Sequence, residues 1–315
     1  MAYIPPHDFA PASRIEWPTL AVFAGTYAVL ASGFWLWPHA PLLSIAVLAI
    51  ALAQYSSLQH EVLHGHPFSR QWVSEALVFP ALFVVVPYMR FKDTHLAHHY
   101  DPALTDPYDD PESNFFDPSV WVRQPRLWQR ILLANNTLAG QIFLGPAIGM
   151  YYFLRGEVRA LMAGQRRVWL AWALNALGMI PLIWALHIAS FPAWAYAIAV
   201  YLGLGLLRIR TFLEHRAHAS HCARTVVVED RGPLALLFLN NNFHVVHHMH
   251  PNVAWYDLPK LYKSKRDHYL RRNDGYRYKN YAEVFARYFW RAKDPVPHPI
   301  FPVVKDRPKG EAALD

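Results

Sequence analysis

Apolar and polar residues along this chain fall into blocks rather than alternating. Pro18 to Trp37 is an uncharged run, Pro41 to Leu58 is a second, and only Pro38-His39-Ala40 separates them. Val168 to Ile188 and Phe191 to Leu207 repeat the arrangement with Ala189-Ser190 between them. Runs of about 17 to 25 apolar residues are long enough for a helix to cross a hydrocarbon core of roughly 30 Å. The pattern therefore predicts four transmembrane helices arranged as two hairpins. Trp35 and Trp37 close the first run, where aromatic belts meet the headgroups.

Two further apolar segments are less regular. Ala76 to Met89 is short and interrupted by Pro80 and Pro87, which reads as an interfacial or re-entrant piece. Ile131 to Phe153 contains Asn135, Asn136, Thr137, Gln141 and Pro146 and is followed by Arg155, Arg159, Arg166 and Arg167, so it is expected to lie in the interface. The stretch from Arg90 to Arg130 carries Asp101-Pro, Asp106-Pro and Asp117-Pro, dipeptides that favour turns and extended chain. The predicted organisation is a cytosolic segment at 1–17, a membrane domain at 18–293 and a disordered Pro-rich tail at 294–315. The fold class is an all-α integral membrane protein with interfacial helices and a cytosolic helical cap.

Composition agrees with the pattern: 54% of the 315 residues are hydrophobic and only 17% are charged. The mean hydropathy of +0.06 averages these runs with a long polar cap and conceals them. Neither connecting loop within a hairpin contains Lys or Arg, so those loops are expected outside and both termini in the cytosol, in a bacterial inner membrane. The net charge of +7 then belongs beside anionic headgroups, and nucleic-acid binding is disfavoured. The N-terminus lacks the pattern of a cleaved signal peptide. A single cysteine, Cys222, excludes an intrachain disulfide framework and a cysteine-held iron–sulfur or zinc site.

Histidine supplies the candidate chemistry. His60 and His64 are spaced i and i+4, while His95, His98, His99 and His244, His247, His248 each form an HxxHH pattern. Such positions share a helix face, so their imidazoles converge. Eight clustered imidazoles exceed one zinc sphere and suggest two metal ions, although imidazole by itself accepts Fe, Cu, Zn and Ni alike. Only an even number of crossings puts all three clusters on one side of the membrane.

The HxxxH, HxxHH and HxxHH boxes, each following a membrane hairpin or a short apolar segment, resemble those of the membrane-bound fatty acid desaturase and hydroxylase superfamily. The resemblance covers roughly Leu20 to Pro259. It implies two iron ions, O2 as co-substrate, two electrons, and oxidation of an unactivated C–H bond in a lipid, with desaturation of a fatty-acyl chain as the first expectation. It also implies an extra histidine ligand beyond the last span, where His215 is preferred and His218 is the alternative. Asn240 resembles a polar residue placed near one iron, or else is a helix cap. Because metal-bound imidazoles usually donate their other N–H to a carboxylate or carbonyl, Asp93, Glu214, Glu61 and Asp101 are candidate partners. His66, His187, His221, His250, His268 and His298 are read as structural or surface residues.

With no cysteine set or haem-binding segment visible, a separate ferredoxin or cytochrome must deliver electrons. Lys260, Lys263, Lys265, Arg266, Arg271 and Arg272 could receive an acidic one, or could rest on anionic headgroups. A carotenoid ketolase or hydroxylase is the alternative within this superfamily, since Asp109-Asp110-Pro111 and His250-Pro251…Trp255-Tyr-Asp-Leu-Pro259 also resemble carotenoid oxygenases. A membrane metal transporter or sensor is the alternative of another class. It would need ionisable residues lining a path at mid-membrane, and the spans contain almost none.

Overall fold

The computed structural model describes residues 15–301; residues 1–14 and 302–315, and with them most of the expected N-terminal segment and the far part of the tail, lie outside the described residues. In chain order the helices are α1 (Trp17–Leu36), α2 (Pro41–Leu63), α3 (Gln71–Leu77), α4 (Tyr88–His98), α5 (Pro118–Trp121), α6 (Arg126–Asn135), α7 (Leu138–Phe143) and α8 (Gly145–Met162). There follow α9 (Arg166–Ile188), α10 (Ala193–Glu214), α11 (Pro233–Leu237), α12 (His244–Met249), α13 (Leu258–Ser264), α14 (Arg266–Arg272) and α15 (Tyr281–Tyr288). Two short strands, β1 (Val227–Val228) and β2 (Arg277–Tyr278), pair in parallel.

α1, α2, α9 and α10 are long and apolar enough to cross a membrane, so the chain is a mostly helical membrane protein as the hydrophobic pattern predicts. α2 is the central helix and packs along both α1 and α10. Close approach is built from small residues: a Cβ at Gly203 of α10 would sit 3.1 Å from the Ala49 carbonyl of α2. The Ser44 hydroxyl donates to the Gly33 carbonyl at 2.7 Å, pinning α2 to α1. α2 runs beyond the expected end at Leu58 and α10 beyond Leu207. Their polar last turns are enclosed by protein: Gln59, His60, Glu61 and Glu214 are all buried. Charge and polarity therefore do not end these helices as they would in lipid.

The segment after α3 shows how irregular backbone is accommodated next to the spans. Residues 78–87 are mostly non-helical, yet their carbonyls are capped by side chains from the spanning helices. Tyr55 donates to the Pro80 carbonyl at 2.6 Å, Tyr196 to Leu82 at 2.8 Å and Asn175 to Val84 at 2.7 Å. Ala81 N–H donates to the Gly178 carbonyl at 2.8 Å. An unsatisfied polar group in hydrocarbon costs several kcal/mol, and these donors remove that cost. The later ambiguous stretch resolves into α6, α7 and α8, with α7 packed against α10.

The polar cap is tied to α10 beside β1, where Val226 N–H donates to the Glu214 carbonyl at 3.1 Å. Val228 N–H donates to the Asn242 carbonyl at 2.8 Å and Val245 N–H to the Val226 carbonyl at 3.0 Å, which sets the position of α12. The expected tail differs from its prediction. Residues 294–301 form part of the fold: Phe116 N–H donates to Val296 at 3.0 Å, and His298 N–H returns to Phe116 at 2.8 Å. Val296 and His298 are buried. Proline does not exclude order here, because this extended strap uses its few remaining N–H groups on a neighbouring loop.

Candidate metal centre

Among the described residues, nine histidines meet at one end of the helical bundle, and they divide into two groups. His60, His64, His95, His99 and His247 form one; His98, His215, His244 and His248 form the other. In each group one donor atom per residue lies within 4.8 Å of all the rest. The division follows from helical geometry. On α4, His95 and His99 are a turn apart and share one group, whereas His98 is rotated by about 100° from His99 and enters the other. α12 divides in the same way, with His247 facing the first group and His244 and His248 the second. Both HxxHH boxes therefore serve both groups, while α2 supplies only the first and the end of α10 only the second.

The nitrogen positions suit a cation. His99 Nε2 lies 3.0 Å from His95 Nε2 and 3.1 Å from His247 Nε2. In the second group His215 Nε2 lies 2.8 Å from His98 Nε2 and 3.2 Å from His244 Nε2. One ring nitrogen carries at most one proton, so such triplets cannot all be satisfied by donating to each other. His64 Nε2 is buried with no hydrogen-bond partner among the described residues. Buried, converging lone pairs without enough protons fit one metal ion per group.

The opposite ring nitrogens are held by the protein. His98 Nδ1 lies 2.7 Å from Asp110 Oδ1, and His95 Nδ1 lies 2.9 Å from Glu112 Oε1. A carboxylate can only accept, so each Nδ1 carries the proton and each Nε2 is left to face the centre. His244 Nδ1 lies 3.0 Å from Asn241 Oδ1, and Asn241 Nδ2 also reaches to 3.5 Å from His60 Nε2. Asn241 thus stands between the two groups.

The remaining candidates fall in different places. Glu214 pairs with Arg210 at 2.9 Å and approaches His244 Nδ1 to 3.7 Å. Glu61 lies 3.6 Å from His60 Nδ1 and accepts from Trp255 N–H at 3.1 Å. Asp93 turns away from the histidines, binding Arg167 through contacts of 2.5 and 2.6 Å, because two residues along α4 from His95 is the opposite helix face. Asn240 also points elsewhere, donating to the Trp255 carbonyl at 3.1 Å. Asn240 shares no helix with His244: α12 begins at His244 with Phe243 as its cap, and Asn240 has the left-handed φ of 54°. His218 belongs to neither group and lies 3.5 Å from Asp274. The Asp101 side chain lies outside the described residues. His66, read as structural, is buried against Glu16 at 2.6 Å.

Asp110, Glu112 and Asn241 are the residues that sequence reasoning did not assign. The acidic run Asp109 to Glu112, soon after the second box, carried a signal, but only the folded loop decides which carboxylate meets which ring. Electrostatics sets His98 apart from the other ligands. Burial and the neighbouring imidazoles push His64, His99 and His247 well below the ordinary histidine range, and do the same to His215 and His244. For His98 burial acts in the same direction, but Glu112 and Asp110 outweigh it and raise it to about 9.

An apolar cavity of about 590 Å³ lies between α8, α9 and α10, bordered by Val84, Met150, Leu182, Tyr196 and Val200, and no box histidine lines it. It is therefore separate from the histidine centre. Among curated proteins, none matches the chain. The family model for fatty acid desaturase matches residues 32–280, which include all nine histidines and all four candidate spans in whole or in part. By that match this oxidoreductase of the membrane, with two histidine groups that could hold metal, belongs to the fatty acid desaturase family.

Proposed function

We propose that the chain is a di-iron enzyme that desaturates the acyl chain of a lipid with O2 and two electrons. The observation that supports this most directly is the pair of buried imidazole groups at the ends of helices able to span a membrane. Two irons bound there would supply the O2 activation needed to remove hydrogen from an unactivated C–H bond. His60, His64, His95, His99 and His247 would hold one, and His98, His215, His244 and His248 the other. The overall reaction removes two hydrogens from adjacent carbons, leaves a C=C bond, and reduces O2 to two waters with two electrons and two further protons.

The chain's own residues account for orientation and sheltering. Asp110, Glu112 and Asn241 keep Nδ1 protonated and Nε2 directed inward on His98, His95 and His244. The buried setting of both groups excludes bulk water. A separate ferredoxin or cytochrome would supply electrons, with the exposed Lys260, Lys263 and Arg271 as a surface for its acidic face. The histidine centre and both termini would face the cytosol, in keeping with the uncharged loops inside each hairpin.

The test pairs metal content of the detergent-purified protein with lipid profiles of cells expressing the wild type or the H247A/H248A variant. Two irons per chain with a new unsaturated acyl product, both lost in the variant, is the expected result. Zinc alone, with unchanged lipids, would overturn the assignment. A second reading, oxygenation of a carotenoid, draws on the Asp109-Asp110-Pro111 run, whose Asp110 meets His98. Altered pigments with unchanged acyl chains would establish it.

A further inference from the structure

We infer that the strap formed by residues 292–301 is a positioning element for the second histidine group, acting through Lys293 and His298. This rests on the two-metal reading above and extends it to residues outside the family match, which ends at residue 280. The strap is anchored along its length: Thr137 and Ala292 pair as an antiparallel bridge, Asn136 holds the Asp294 carbonyl, and Phe116 pairs with Pro297. Its two chemically distinctive side chains both lead to the same group.

Lys293 is nearly enclosed, its side chain 8% exposed, and its Nζ donates to the backbone carbonyl of His215 at 2.8 Å. His215 caps the C-terminal end of α10 in an extended conformation, φ −130° and ψ 147°. The carbonyl is therefore not tied into a helix, and the direction of the His215 ring depends on what fixes this peptide. Lys293 holds its carbonyl side, with Asp294 beside it as its counter-ion, while the Arg216 N–H of the same peptide donates to the Arg224 carbonyl at 2.9 Å in the bridge between His215 and Thr225.

His298 acts on the other side of the group. Its Nε2 lies 3.2 Å from the Thr105 hydroxyl. Thr105 has φ 69°, a left-handed conformation that a β-branched residue adopts only where its surroundings impose it. In that conformation Thr105 N–H donates to Asp110 Oδ2 at 2.8 Å, while Asp110 Oδ1 holds His98 Nδ1. The chain of contacts is thus His298 to Thr105 to Asp110 to His98. The ring of His298 is wedged against Phe115 at 4.9 Å between centroids, which keeps it in place. Among the described residues the strap touches none of His60, His64, His95, His99 or His247; its path reaches the first group only one residue further on, where Glu112 N–H donates to Asp110 Oδ1 at 2.9 Å and Glu112 holds His95, so its action falls first on the second group.

The experiment uses the full-length, detergent-purified protein loaded with iron, and compares wild type with K293M, H298F and the double variant. The readouts are iron per chain and the rate of iron loss to a chelator. Loss of outer partners of this kind lowers metal affinity by about 10- to 100-fold. One of the two irons is expected to leave that much faster in the variants, the other at the wild-type rate. K293R, which keeps a donor, should restore retention. H244A supplies the reference for loss from the second group and H247A for loss from the first.

Unchanged loss of both irons, or equal acceleration of both in variants with wild-type helix content, would overturn the inference. A double variant that fails to fold leaves the two single variants and K293R to decide the question. A wild type that binds no iron refutes the proposed function itself, whereas a two-iron wild type with indifferent strap variants refutes only the role of the strap.

Discussion

The two histidine groups differ in what holds them. The first takes His60 and His64 from the last turns of α2, the helix around which the bundle packs, and His95 and His99 from α4. The second takes His215 from the extended residue after α10, and its His98 is set by Asp110 on a loop. Both draw on α4 and α12, and both have a ring held by the acidic loop, Glu112 on His95 and Asp110 on His98; the first adds two ligands from the end of α2, whereas the second adds His215 from an extended residue and leans on a strained turn and a strap. The difference teaches that similar ligand sets can have unequal rigidity, and that the more weakly scaffolded one needs more partners from distant sequence. Sites borne on regular elements inherit their precision, while loop-borne sites have to be supported by packing and hydrogen bonds.

The sharpest way to break the comparison is to remove one ligand from each group. H247A and H244A are each expected to abolish turnover and to lower metal content from two ions to about one, because each removes one nitrogen donor from its group. Elemental analysis with product profiling checks this, and loss of both ions from either variant would show that the groups are not independent. Next in size, D110N should weaken the second metal by about 10- to 100-fold and leave the first unchanged. Chelator competition measures it, and equal weakening of both ions would contradict the assignment of Asp110 to His98.

A pH titration sharpens the contrast. His98 is raised to about 9 by Glu112 and Asp110 against the effect of burial, while His64, His99 and His247 of the first group are lowered. The proton on His98 competes with metal below its raised pKa, so second-group affinity should increase by about tenfold per pH unit from 6.5 towards 9 and level off above it. First-group affinity should be nearly flat over that window. Metal titrations at fixed ionic strength decide between these outcomes, and identical slopes would contradict the electrostatic difference.

The smallest effect is expected from E229Q. Glu229 binds Arg266 and Arg277, each at 2.6 Å, beside β1, which positions α12 for both groups. Its loss should cost roughly 1 kcal/mol, as for partly exposed ion pairs, and shift both metals alike. Thermal unfolding followed by chelator competition tests it; a change confined to one group would mean that the cap does not support them jointly.

Much of the architecture was legible beforehand because its cause is local. Uncharged runs of membrane length predict spans in any context, and four of them appear. HxxHH spacing predicts shared helix faces, and the boxes do converge. Asp93 and Asn240 were misplaced for reasons that are also local: one lies on the opposite face of α4, and the other precedes a helix that begins only at His244. The strap was misread because Pro-rich, charged sequence describes composition and contains no information about a partner surface at Phe116.

The sequence by itself determined how many helices are long and apolar enough to cross a membrane and which side chains could ligate metal, since hydrophobic length and helical period are properties of neighbouring residues. The tertiary structure alone decided which face of each box meets α2 and which meets the end of α10, the pairing of Asp110 with His98 and Glu112 with His95, and the reach of Lys293 to His215. Those contacts join residues far apart in the chain. They depend on how α2, α4, α10 and the loops pack in space, which no local pattern encodes.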